Sequence, residues 1–137
     1  HFVQLYNQYM NVIVDASAIL AVLLDEERKD VVIQATQGAV LVAPSCLEYE
    51  IGNALTALIK RDRIQISDAV KTYIEFCKIP IRFESPDIPS SIIIAGKNNM
   101  YAYDAYYLSC SERMNLPLLT LDNNLKKIAE ERGVICL

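Results

Sequence analysis

Four acidic side chains sit inside hydrophobic frames rather than in the polar stretches where solvated acids normally gather: Asp15, Glu50, Asp104 and Asp122. Asp15 ends the run Val12-Ile13-Val14 and Asp122 follows Leu118-Leu119-Thr120-Leu121, which places both at the exits of buried strands. Glu50 and Asp104 open apolar helices. Carboxylates this distant in sequence meet only where a fold gathers strand ends, and gathered carboxylates repel one another unless cations neutralise them. The chemistry this predicts is that of a metal-dependent enzyme.

The elements that must position these acids alternate along the chain. Val12 to Asp15 reads as a strand. A helix follows, with Ser17 able to cap it and with Ile19, Leu20, Leu23 and Leu24 at helical spacing until Asp25 to Glu27 break it. A second helix spans Arg28 to Thr36, presenting Val31, Val32 and Ala35 before Gly38 stops it, and Ala39 to Val42 forms the next strand. Pro44 pre-sets φ for the helix Ser45 to Lys60, whose Leu47, Ile51, Ala54, Leu55 and Leu58 recur at steps of three and four. Another helix begins at Ser67-Asp68, with Val70, Tyr73, Ile74 and Cys77 as its apolar stripe, and Pro80 ends it. Ile79 to Phe83 reads as a short strand and Ser85 to Asn99 as a helix containing Ile92, Ile93 and Ile94. Asp104 to Met114 is a helix, Leu116 to Leu121 a strand, Asp122 to Arg132 a last helix, and Val134 to Leu137 a terminal strand. Strands separated by helices favour a parallel sheet, whose ligands bind at the carboxyl ends of its strands. Asp15 and Asp122 both fall there.

Each acid has a plainer explanation beside the chemical one. Asp15, Asp104 and Asp122 all stand where a helix begins, and an aspartate caps a helix or favours its first turn without any further role. Glu50 is less easily explained so, because steps from Leu47 place it beside the core stripe of its helix, while Glu48 points elsewhere. Asn53, three residues on, shares its flank and is placed to orient it or to meet a substrate. Structure alone would not require the pattern four times.

Composition narrows the classes. A chain of 137 residues with 53% hydrophobic content supports one packed domain. Residues 1–9 read as a tag or upstream extension, with Met10 a natural start and residues 10–137 the domain. Apolar runs fall far short of the roughly 20 residues that cross a bilayer, so no membrane span is expected. The four cysteines (Cys46, Cys77, Cys110 and Cys136) are widely spaced in apolar stretches, as buried free thiols of a reducing cytoplasm. The single histidine is His1, which leaves His/Cys zinc coordination and His-assisted nucleophiles without an internal base. The net charge of −4 excludes a generally basic coat for nucleic acid, although Lys60, Arg61 and Arg63, and Lys126, Lys127 and Arg132, form local basic patches.

The segments Val14-Asp15-Ala16-Ser17-Ala18-Ile19-Leu20, Pro44 to Leu55, Tyr103-Asp104-Ala105-Tyr106-Tyr107-Leu108 and Leu119-Thr120-Leu121-Asp122-Asn123-Asn124-Leu125 resemble, in order and spacing, those of PIN-domain ribonucleases. The likeness is to the VapC-type toxins of toxin–antitoxin pairs, and it runs from Met10 to the C-terminus. It implies a single PIN-like α/β domain with a central, mostly parallel sheet of four or five strands flanked by helices. It also implies Asp15, Glu50, Asp104 and Asp122 as the metal-binding, catalytic quartet, with Ser17, Asn53 and Thr120 in support. Some relatives carry a further acid two residues after the last aspartate, where this chain has Asn124.

The implied activity is endonucleolytic hydrolysis of RNA phosphodiester bonds. Hard oxygen ligands suit Mg²⁺ or Mn²⁺. An RNA substrate also calls for cations and stacking surfaces, for which Lys60, Arg61, Arg63, Tyr101 and Tyr103 are the candidates. The resemblance further implies a homodimer and a small cognate antitoxin seated on exposed portions of Ile19, Leu20, Leu23, Leu24, Leu55, Leu58 and Ile59. Two competing readings are a catalytically silent PIN module that binds RNA or protein, and a receiver-like domain. Receivers present paired acids early, which this chain lacks, and a silent module would be expected to have lost a quartet acid, whereas all four are present.

Overall fold

Val12, Ile13 and Val14 are buried on both faces of the sheet, as a continuous apolar run in a parallel strand must be. The computed structural model describes residues 11–137, so the expected upstream segment and the start at Met10 lie outside the described residues. The elements run β1 (Asn11–Val14), α1 (Ala16–Leu23), α2 (Lys29–Thr36), β2 (Val40–Pro44), α3 (Leu47–Lys60) and α4 (Ile66–Cys77). They continue with β3 (Ile81–Glu84), α5 (Ile88–Asn98), α6 (Ala102–Met114), β4 (Leu118–Leu119) and α7 (Asn123–Glu131). All strand pairings are parallel, in the order β3-β2-β1-β4, with Ile13 opposite both Val42 and Leu118.

This order positions the site. The chain leaves β1 toward β2 and β3 on one side and returns as β4 on the other. The crevice of a parallel sheet opens at such a reversal, beyond the carboxyl ends of the two diverging strands. Asp15 follows β1 and Thr120-Leu121-Asp122 follows β4. Two helices bring the remaining acids. α3 buries Leu47, Ile51 and Leu55 along one stripe and carries Glu50 in its first turn. α6 packs on β1, β2 and β4 and against α5 and α7, with Ala105, Tyr107, Leu108 and Cys110 buried and Asp104 in its first turn.

Several local expectations are corrected. Asp15, not Ser17, caps α1: its extended backbone lets Oδ1 accept Ala18 N at 3.1 Å, and Ser17 lies within the helix. Pro44 closes β2 instead of opening α3, because Ser45 N still donates across the sheet to Glu84 O at 2.8 Å. α4 buries Ala69 and Phe76 with Tyr73 half-buried, while Val70 and Ile74 are 55% and 51% exposed. Two apolar rows run side by side on α4, and the one bearing the aromatic rings turns inward. Cys77 consequently lies exposed and Cys136 half-buried, and only Cys46 and Cys110 are core thiols. In α5, Ile94 is buried and Ile92 and Ile93 face outward. The C-terminal segment forms a single parallel bridge, Cys136 opposite Leu118, short of a strand. Gly38 stops α2 as expected, in the left-handed region at φ 76°. No helix among the described residues is long and apolar enough to cross a membrane.

Candidate active site

Asp15 is 6% exposed and is held through both oxygens. Oδ1 accepts Ser17 Oγ at 2.6 Å as well as Ala18 N, and Oδ2 accepts the hydroxyl of Thr120. Burial raises its pKa; the bonds from Ser17, Thr120 and Ala18 oppose that, and the charge of Asp122 adds to it. Ser17 and Thr120 also tie the two crevice walls together. Ser17 Oγ accepts Leu121 N at 2.9 Å, and Thr120 Oγ1 accepts Asp122 N at 3.0 Å. Both expected supporting hydroxyls are therefore in contact with Asp15.

Asp122 caps α7, its Oδ1 accepting Asn124 N at 2.9 Å and Leu125 N at 3.1 Å. Glu50 is gripped at Oε2, by the Tyr107 hydroxyl at 2.7 Å and the Cys46 thiol at 3.2 Å. Burial raises the Glu50 pKa against those two bonds, and the charges of Asp104 and Asp15 raise it further. Asp104 has no hydrogen-bond partner among the described residues, and its pKa is raised by burial, then by Asp122, then by Asp15. The charges of Asp122 and Asp15 thus reach Asp104, and those of Asp104 and Asp15 reach Glu50.

The donor set fits a hard divalent cation. Asp104 has both oxygens unpartnered among the described residues, Glu50 has Oε1 and Asp122 has Oδ2. In Glu50 and Asp122 the other oxygen is the one that protein donors fix. The Cys46 thiol is a donor to Glu50, and burial and that hydrogen bond push its pKa up to about 12. Among the described residues no three His, Cys, Asp or Glu side chains form a closed ligand group as they stand. Carboxylates that repel one another do not close up unaided.

The other expected site residues fall differently. Asn53 is exposed and makes no side-chain hydrogen bond among the described residues; Tyr107 and Cys46 hold Glu50 in its place. Lys60, Arg61 and Arg63 are exposed at the far end of α3, where Lys60 is about 15 Å along the axis from Glu50 at 1.5 Å per residue. Tyr101 and Tyr103 do not complete a core: they are 85% and 55% exposed beside Asp104, with Tyr103 edge-on to Tyr106 at 5.6 Å. Of the second basic patch, Arg132 is engaged by Glu112 at 2.8 Å.

Three residues escaped the sequence reading. Cys46 precedes Glu50 by one helical turn and Tyr107 follows Asp104 by nearly one, spacings that bring side chains to one face. Arg28 gave no such signal. Its Nη2 donates to Leu121 O at 2.8 Å, on a cleft of about 800 Å³ lined also by Ser17, Leu20, Glu26 and Glu27.

Comparison with known proteins places this arrangement. The family model described as PIN domain matches residues 12–131. The chain is 30% identical over 121 residues to Ribonuclease VapC3 of Pyrobaculum aerophilum, covering 85% of this chain and 92% of that protein. Its fold is similar to the crystal structure of PAE2754 from the same organism, with a TM-score of 0.70 and 24% identity over 93% of this chain and 91% of that one. It is also similar in fold to a chain in the crystal structure of VapBC2 from Rickettsia felis bound to a promoter DNA fragment. There the TM-score is 0.62 and the identity 9%, over 93% and 98% of the two chains. The chain belongs to the PIN-domain family, among its VapC members.

Proposed function

We propose that this protein is a Mg²⁺- or Mn²⁺-dependent endoribonuclease and the toxin of a VapBC-type pair. The reading is supported by Asp15 and Asp122 standing just past the strands on either side of the sheet's reversal point, with the charges of both reaching Asp104 and those of Asp15 and Asp104 reaching Glu50. A divalent cation in such a set supplies Lewis-acid polarisation of a phosphodiester and activation of the attacking water. Asp104, with no protein donor on either oxygen, is the freest ligand. Asp15, held by Ser17 and Thr120, is a rigid one. Asp122 offers Oδ2 as a ligand or as a holder of one, and Glu50 offers Oε1 to the cation or to the water. Hydrolysis in this site needs no covalent enzyme intermediate.

Around that centre, exposed Tyr101 and Tyr103 offer aromatic faces for bases, and Lys60, Arg61 and Arg63 contact phosphates of a longer RNA. The antitoxin seats on half-buried Leu20, Leu23, Leu24, Leu58 and Ile59. Ile19 and Leu55, 5% and 3% exposed, belong to the core and drop out of that surface. The protein acts in the cytoplasm as a homodimer. A labelled RNA titrated with Mg²⁺ tests the central claim: cleavage is expected, abolished by chelator and by Asp15→Asn. Unchanged cleavage by that variant refutes the role of Asp15. RNA binding with no cleavage at any Mg²⁺ concentration would instead establish the silent-module reading, which Asn124 and the unclosed ligand group favour.

A further inference from the structure

Glu50 lies in the first turn of α3, and two donors from different parts of the fold converge on the same one of its oxygens. Tyr107 comes from α6, 57 residues away in sequence, with its ring 1% exposed and its hydroxyl 2.7 Å from Oε2. Cys46 comes from the turn before α3, is 8% exposed, and places its thiol 3.2 Å from the same atom. A glutamate side chain has three rotatable bonds and in a helix's first turn is normally free to swing into solvent. Here one oxygen is anchored by two donors, which restricts where the other can lie. The buried tyrosine cannot follow a moving carboxylate either, because Tyr107 is 1% exposed in the core that α6 forms against the sheet.

We propose that Tyr107, assisted by Cys46, is a positioning residue that anchors Oε2 of Glu50 and thereby dedicates Oε1 to the divalent cation. This rests on the cation-dependent reading above and adds residues to it. Partners that orient a ligand in this way typically set metal affinity by about 10- to 100-fold. It also accounts for a buried tyrosine hydroxyl aimed at an acid, where phenylalanine would fill the same volume with no polar group to satisfy.

The test is Mn²⁺ binding by the full chain without antitoxin, followed by electron paramagnetic resonance, with thermal melts in chelator as the check on folding. Tyr107→Phe is expected to raise the Mn²⁺ Kd about tenfold, Cys46→Ala by less, and Cys46→Ser, which keeps a donor, by under about twofold. In a Glu50→Gln background, Tyr107→Phe should add under about twofold, because its influence passes through Glu50. A purely structural tyrosine would move the melt alike in both backgrounds and leave that distinction unseen. Wild-type Mn²⁺ affinity in Tyr107→Phe, or a tenfold loss that persists in the Glu50→Gln background, overturns the proposal. If Tyr107→Phe fails to fold, the Cys46→Ala and Cys46→Ser pair decides: equal affinities in the two overturn it. A wild-type chain that takes up no Mn²⁺ and cleaves no RNA sinks the functional reading itself, an outcome distinct from a bound but unperturbed ion.

Discussion

Replacing Asp104 by asparagine should make the cation-free protein more stable while removing its activity. Asp104 is the acid whose charge the fold does least to offset: no protein donor reaches it among the described residues, and burial and the charges of Asp122 and Asp15 all disfavour its ionised form. Two unit charges at an effective dielectric of about 20 repel by about 4 kcal/mol at about 4 Å, and by less at the wider spacing of carboxylates that share no partner. Because Asp104 is half-exposed, solvent screening removes a large part of the combined repulsion from its two neighbours, leaving about 2 kcal/mol in all. Against this stands the loss of a negative charge at a helix N-terminus, about 0.5 to 1 kcal/mol. Asp104→Asn should therefore gain about 1 kcal/mol, or about 3 to 5 °C in Tm for a domain of this size.

The pH dependence has a definite sign. Asp104 has a folded-state pKa above its unfolded value of about 3.9, so between the two the native state binds more protons and stability falls as pH rises. The advantage of the variant should be absent below about pH 4 and open as pH climbs through the raised pKa. Melts in chelator from pH 4 to 7 measure it. Saturating Mg²⁺ should then reverse the order, since a ligand at about a hundred times its Kd stabilises the wild type by about 2.7 kcal/mol and the variant by less. A variant less stable than wild type in chelator at pH 7, or a difference that does not change with pH, refutes the account of Asp104 as a repelled acid.

Two further outcomes follow from the surface. Neutralising Lys60, Arg61 and Arg63 should weaken RNA binding and flatten its dependence on salt by about one unit of slope for each phosphate left without its cation; an unchanged slope in binding assays from low to moderate salt removes them from the RNA path. Light scattering at micromolar concentration should give twice the chain mass, and a monomer there would contradict the homodimer.

What the sequence made legible and what it hid separate along physical lines. β1 and β4 were readable because a strand buried on both faces leaves an unbroken apolar run, and the position of an acid just past such a run is a statement about the crevice. The inward face of α4 was not readable. Ile66, Val70 and Ile74 make as good an apolar row as Ala69, Tyr73 and Phe76, and only the packing of α4 on α1 and α3 chooses between them. That Tyr107, and not Asn53, bonds Glu50 has a related cause. Asn53 is a neighbour on the same helix, visible from spacing, whereas Tyr107 arrives from α6 by tertiary packing alone.

The two readings that sequence left open at Asp15 and Asp122, helix cap or site acid, do not exclude one another. A carboxylate has two oxygens and about four acceptor positions. In Asp122 the cap uses Oδ1 for two backbone N–H groups and leaves Oδ2 unpartnered among the described residues. In Asp15 the cap takes one position on Oδ1, Ser17 a second and Thr120 one on Oδ2, so a position remains. Capping fixes the rotamer, and a fixed rotamer is what an acid needs if its free oxygen is to share a centre with acids from other elements. A parallel sheet that begins a helix immediately after each strand therefore builds its rigid acids where its crevice lies. Asp104 and Glu50, which cap nothing, must be positioned by other means: Glu50 by Tyr107 and Cys46, and Asp104 by α6 alone. By this reasoning Asp104 is the quartet member freest to turn toward an arriving cation.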